Sequence, residues 1–194
     1  MTDEFLEKLN KINKDYFTFS DFKKIWKGKK NSLKVIVWRL IKAKKIIKVF
    51  RGIYILPNSK IKIEKLANEI YFPSYVSFEY ALYLWRILSQ MPYTITFATI
   101  LKTKSINLMN TKIEYRKIQK KLFFGYVFRG GIYLARPEKA LLDTFYLASL
   151  GKLKMNFASI DYSKINKNLF KKWAKNYPSK TQKLIDKYFN KLNI

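Results

Sequence analysis

An α+β chain in two parts is predicted by three features of this 194-residue sequence. Ser20 to Leu56, SDFKKIWKGKKNSLKVIVWRLIKAKKIIKVFRGIYIL, reads as a short helix, a turn, a helix loaded with Lys and Arg, and two short apolar strands meeting at Arg51-Gly52; that order is a winged helix-turn-helix. Between Tyr93 and Ala135 the pattern changes to alternation rich in β-branched and aromatic residues, which predicts a small mixed sheet. From residue 152 onward the apolar spacing is helical again. The predicted organisation is a winged helix-turn-helix over residues 1–60, then a mixed α/β domain over 61–194 with a small sheet and a helical tail. Pro57-Asn58-Ser59 marks the boundary.

In the first part, residues 3–13 place Phe5, Leu6, Leu9 and Ile12 on one side of a helix, with acids in its first turn where the macrodipole favours them. Tyr16 to Phe19 is expected to run extended beside the wing and into a Ser20 cap. The next helix is expected to start at Asn31-Ser32, whose side-chain oxygens suit the orphan amides of a first turn. At 100° per residue, Leu33, Ile36, Val37, Leu40 and Ile41 share an arc of roughly 140°, and Lys34, Val35, Trp38, Arg39 and Lys42 take the remainder. One face packs and the other is basic. Gly52 supplies the positive φ that a tight hairpin turn needs, which puts Arg51 at the tip.

In the second part, a helix over 63–71 is stopped by Pro73, and Ser77 is expected to cap a helix running to Leu88. Strands follow at 93–98 and 111–118, then a hairpin over 123–135 around Arg129-Gly130-Gly131. Pro137 and Glu138 open a mostly buried helix over 136–150. Leu169, Phe170, Trp173 and Ala174, then Leu184, Ile185, Tyr188 and Phe189, form the apolar sides of two tail helices broken at Tyr177-Pro178-Ser179.

Forty Lys and Arg against thirteen Asp and Glu give a formal charge of +27, more than solubility requires, so a polyanionic partner is inferred. AT-rich coding, which also favours Lys, Ile, Asn, Tyr and Phe, accounts for part of that excess. The stretch from Tyr16 to Arg51 is the most one-sided, with twelve bases against one acid, Asp21. Lys29, Lys30, Lys34, Trp38, Arg39, Lys42, Lys45, Lys48 and Arg51 are therefore the candidate DNA-binding residues. Lys34, Arg39 and Lys42 are expected on phosphates with the helix in a major groove, and Arg51 in a minor groove or on a phosphate. A solvated lysine face and an incidental Arg at a hairpin tip are the plainer readings of the same residues. Trp38 is expected to pack against the following segment, with base contact as the alternative.

Cysteine and histidine are both absent, which excludes disulfides, thiolate zinc sites, His-based triads and histidine general bases. No cofactor and no catalytic activity are expected. The enzymatic alternative is a magnesium-dependent nuclease centre built from Glu79, Glu114, Glu138 and Asp143, but on one helix Glu138 and Asp143 point about 140° apart. A nucleic-acid-binding adaptor without regulatory function is the other alternative. No apolar run approaches the roughly 18 residues of a membrane span, and the start MTDEFLEKLNKINKD has no basic-then-apolar signal, so no membrane partner and a cytoplasmic location are expected.

Three stretches, in order and over roughly residues 5–150, resemble the AbiEi-type antitoxin family of abortive-infection, type IV toxin-antitoxin systems. They are RGIYIL at the end of the wing, YVSFEYALYLWRIL followed by PYTITFAT, and ARPEKALLDTFYLA. The family often carries a His-Gly pair where this chain reads Trp85-Arg86. The resemblance implies an amino-terminal domain that binds double-stranded DNA at promoter repeats and represses its own operon. It also implies a second domain that counters a nucleotidyltransferase-like toxin, opposing the toxin's effect rather than gripping the toxin.

Overall fold

The computed structural model describes residues 2–191, with side chains as far as Tyr188; Phe189, expected on the apolar side of the tail, lies outside the described side chains. The fold is α+β, with a three-stranded and a six-stranded sheet among the described residues. It divides into two compact units, residues 1–63 and 64–194.

The first unit runs α1 (Thr2–Asn10), β1 (Phe17–Thr18), α2 (Phe19–Ile25), α3 (Lys30–Lys42), β2 (Ile47–Phe50) and β3 (Ile53–Ile55). Its sheet is antiparallel in the order β1-β3-β2, so the short strand predicted at Tyr16–Phe19 does join the hairpin. Phe22 is the centre of the core, fully buried, with Phe5, Phe17 and Tyr54 at ring-centroid distances of 5.7, 6.1 and 5.0 Å. Around it pack Leu9 of α1 and Leu33, Ile36, Val37 and Leu40 of α3, the predicted apolar arc.

Two predicted caps are corrected. The α2 cap is Thr18, not Ser20: the Asp21 N–H donates to Thr18 Oγ1 at 3.2 Å while the Thr18 N–H donates to Asp21 Oδ2 at 2.8 Å, a reciprocal capping box that Ser20, two residues later and already inside the first turn, cannot make. The α3 cap is the backbone of Lys29, with no side-chain bond, so Asn31 and Ser32 fall inside the first turn. There the Ser32 hydroxyl donates to the Lys29 carbonyl at 2.6 Å and is not the acceptor a cap requires.

The second unit contains α4 (Ile63–Ile70), β4 (Ser74–Val76), α5 (Phe78–Leu84), β5 (Thr94–Thr99), β6 (Lys104–Leu108), β7 (Thr111–Lys117), β8 (Tyr126–Arg129), β9 (Ile132–Ala135), α6 (Pro137–Ser149), α7 (Lys167–Ala174) and α8 (Ser179–Lys191). The sheet order is β6-β7-β5-β4-β9-β8, with β5/β7 and β4/β9 parallel and the other pairs antiparallel. It is mixed, as predicted, but larger. Strands β4 and β6 were not predicted. One is three residues long and the other, KSINL, is a polar outer strand, so neither carries a readable alternation.

Helix α4 covers one face of this sheet, where the Tyr115 hydroxyl donates to the Ala67 carbonyl at 2.7 Å. Helices α5 and α6 cover the other, where Tyr75 meets Asp143 and Arg116 meets Glu79. Helix α5 stops at Leu84, short of the predicted Leu88: the Trp85 indole donates to the Ala135 carbonyl at 2.8 Å and Arg86 turns to φ +58°. The tail closes over α6, with Phe145 stacked on Phe157 at 4.2 Å and the Ser149 and Thr181 hydroxyls 2.9 Å apart.

Candidate nucleic-acid interface

Helix α3 has no acidic residue, and its apolar arc is consumed by the core of the first unit. What remains outward is Lys34, Val35, Trp38, Arg39 and Lys42, all exposed. Lys34, Trp38 and Lys42 follow at intervals of four, the spacing that stacks side chains one turn above another. Trp38 is 59% exposed, far more open than the expected packing against the following segment would leave it. The 100° rotation that buries Val37 carries its neighbour outward, and the Lys42 ammonium lies over the indole, 5.1 Å from the ring centroid.

Lys29 and Lys30 are exposed at the amino end of α3, where two cations face the positive end of the helix dipole without a first-turn acid to offset them. Arg51 is exposed at the hairpin tip, beside Gly52 at φ +74°. Lys48 is exposed on β2. Lys45 stands apart from the α3 row, in a recess of about 280 Å³ shared with Leu6, Asn10 and Leu56.

The four carboxylates of the candidate nuclease centre, Glu79, Glu114, Glu138 and Asp143, are each held by other partners. Arg116 takes Glu79 at 2.7 Å and Glu114 at 3.0 Å, and Lys112 takes the other oxygen of Glu114 at 2.7 Å. Burial works against the Glu114 charge, but its two cationic partners outweigh it and hold the carboxyl below the ordinary range. Glu138 is buried and accepts the Asn166 N–H at 2.9 Å, so it ties the tail to α6 as well as meeting the helix dipole. Among the described residues no group of three or more acidic side chains could hold a metal ion, and no helix is long and apolar enough to cross a membrane.

Asp143 organises a buried polar centre. Fully buried, it accepts from the hydroxyls of Tyr75, Ser77 and Tyr177 at 2.9, 2.8 and 3.0 Å, and pairs with the equally buried Lys139 one turn earlier on α6. Ser77 therefore spends its hydroxyl here and does not cap α5 with its side chain. Burial lowers the Lys139 pKa against the pull of Asp143, and the rings of Phe124, Tyr177 and Tyr75 lie 4.9, 5.2 and 5.8 Å from the ammonium. Burial and the Asp143 charge raise both tyrosines well above the ordinary phenol value, so they remain donors. With every member enclosed, this centre can fix α6 against the sheet and the tail, but it has no access to a substrate. Among known proteins, no family model matches the chain and no curated protein matches it.

Proposed function

We propose that this chain is a DNA-binding transcriptional repressor in which the first unit acts as a winged helix-turn-helix. The observation that carries the reading is the outward face of α3, where Lys34, Arg39 and Lys42 are exposed without a single acid while the opposite face closes the core. Lysines at the uncompensated amino end of α3 add to it, because a phosphate there would relieve the repulsion they meet from the helix dipole. Arg51 at the hairpin tip supplies a second contact, as a wing does.

The antitoxin part of the proposal rests on the three stretches that resemble the AbiEi type, and it assigns neutralisation of a nucleotidyltransferase-like toxin to the second unit. Its buried Asp143 centre ties α6 to the sheet and to the tail, which gives that unit a defined surface for recognition.

Promoter duplex should shift with the full chain in the presence of excess random duplex, and affinity should fall by about 10³-fold or more between 50 and 200 mM salt. Equal competition by random DNA at every salt concentration would contradict the repressor reading. For the antitoxin part, full chain carrying an α3 charge reversal and expressed from an independent promoter should still rescue cells from the toxin encoded beside it. Residues 1–63 alone should not. Loss of rescue at equal protein level when α3 is reversed would overturn the division of labour.

A further inference from the structure

Phe72 and Phe128, among the most exposed large apolar side chains of the second unit at 64% and 67%, flank the same ring. Tyr133 lies between them, with centroids 6.2 Å from Phe72 and 5.2 Å from Phe128. Scattered exposed hydrophobes are ordinary on protein surfaces, but two largely exposed rings joined through a third, half-buried one are not. Phe128 is on β8, an outer strand of the sheet.

The surroundings are basic. From Phe123 to Arg136 the hairpin contains Arg129 and Arg136 and no carboxylate. Arg129 is exposed, its guanidinium 4.9 Å above the Trp85 ring, and the Lys65 stem lies against Gly131 of the turn. A second copy of the chain would bring the same positive charge against itself. The complementary partner is a polyanion that offers flat apolar faces, and in a duplex those faces are hidden in the stack, whereas unpaired nucleotides present them.

We propose that Phe72, Tyr133 and Phe128 form a stacking platform for single-stranded nucleic acid, with the excess positive charge of the chain attracting the phosphates. The site belongs to the second unit and does not depend on the duplex-binding role of α3. Bases would stack on the two outer rings, and discrimination among bases would be weak, because every base has a π-face.

The test uses the full chain and fluorescein-labelled thymidine 12-mers, one intact and one with abasic positions that keep the phosphates, read by anisotropy at fixed salt. The intact strand should bind at least about tenfold tighter than the abasic one. Phe72→Ala/Phe128→Ala should abolish that difference while weak binding to both strands persists. Phe72→Leu/Phe128→Leu, which keeps apolar bulk without rings, should abolish it as well and guards against a folding defect. Equal affinity of wild type for both strands would overturn the proposal, as would an undiminished preference in the Leu pair. Sedimentation showing a wild-type dimer that the Leu pair dissociates, with no change in strand preference, would assign the rings to self-association and overturn it too.

Discussion

Asp21 is the only acid between Tyr16 and Arg51, and it is used structurally. It closes the capping box with Thr18 and takes the Lys14 ammonium at 2.8 Å. Burial disfavours its charge, yet the bonds from Lys14 and Thr18 prevail and hold the carboxyl at about 2. A carboxyl depressed in the folded state contributes stability that is present above its ordinary value of 3.8 and is lost as pH falls through about 2. Asp21→Ala should therefore cost about 1 kcal/mol at neutral pH, mostly through the lost cap, since the Lys14 side is half exposed and such pairs contribute little. Chemical denaturation from pH 5 to pH 2 should show wild type and variant converging; a constant difference would contradict this role. Capping was legible only as a need for a short polar residue near the start of α2, because Thr18 and Ser20 both qualify and only the path of β1 into the helix selects the first.

Helix α6 shows where sequence reading stops at the level of an element. Its existence, its start at Pro137 and its burial were readable from Pro137-Glu138 and the apolar run that follows. The work of Asp143 was not, because its hydroxyl partners Tyr75, Ser77 and Tyr177 lie 68, 66 and 34 residues away and no local pattern couples them. Removing the carboxylate strands a buried ammonium, so Asp143→Leu should cost about 3–5 kcal/mol. Lys139→Met should cost less, since three hydroxyls still satisfy Asp143. The double variant should be destabilised by less than the sum of the two, and additive losses in urea denaturation would contradict a coupled pair. The two tyrosines have folded pKa values above the unfolded 10.0, so their contribution is complete below about pH 10 and declines as pH rises beyond it. Thermal stability should fall above that pH more steeply in wild type than in Tyr177→Phe.

At the scale of the molecule, α+β character and a mixed sheet were legible because β5, β7, β8 and β9 carry alternating or β-branched runs bounded by turn residues. The strand order was not, since β4 in mid-sheet is three residues long and is fixed by two neighbours, β5 and β9, from separate parts of the chain. On the α3 surface, helical periodicity separated the outward cations from the packed arc, and it put Trp38 among them even though its chemistry argued for cover. The excess charge is spread over both units, and α3 combines it with a helix face free of acids and of core contacts. The central claim is that this face binds duplex DNA. Charge reversal of Lys34, Arg39 and Lys42 together to Glu, in the full chain, changes only exposed side chains and should leave the circular dichroism spectrum intact. A gel shift with the promoter duplex at 100 mM salt should then show binding weakened by at least about 10³-fold, and a folded triple variant that shifts the duplex as well as wild type would contradict the account.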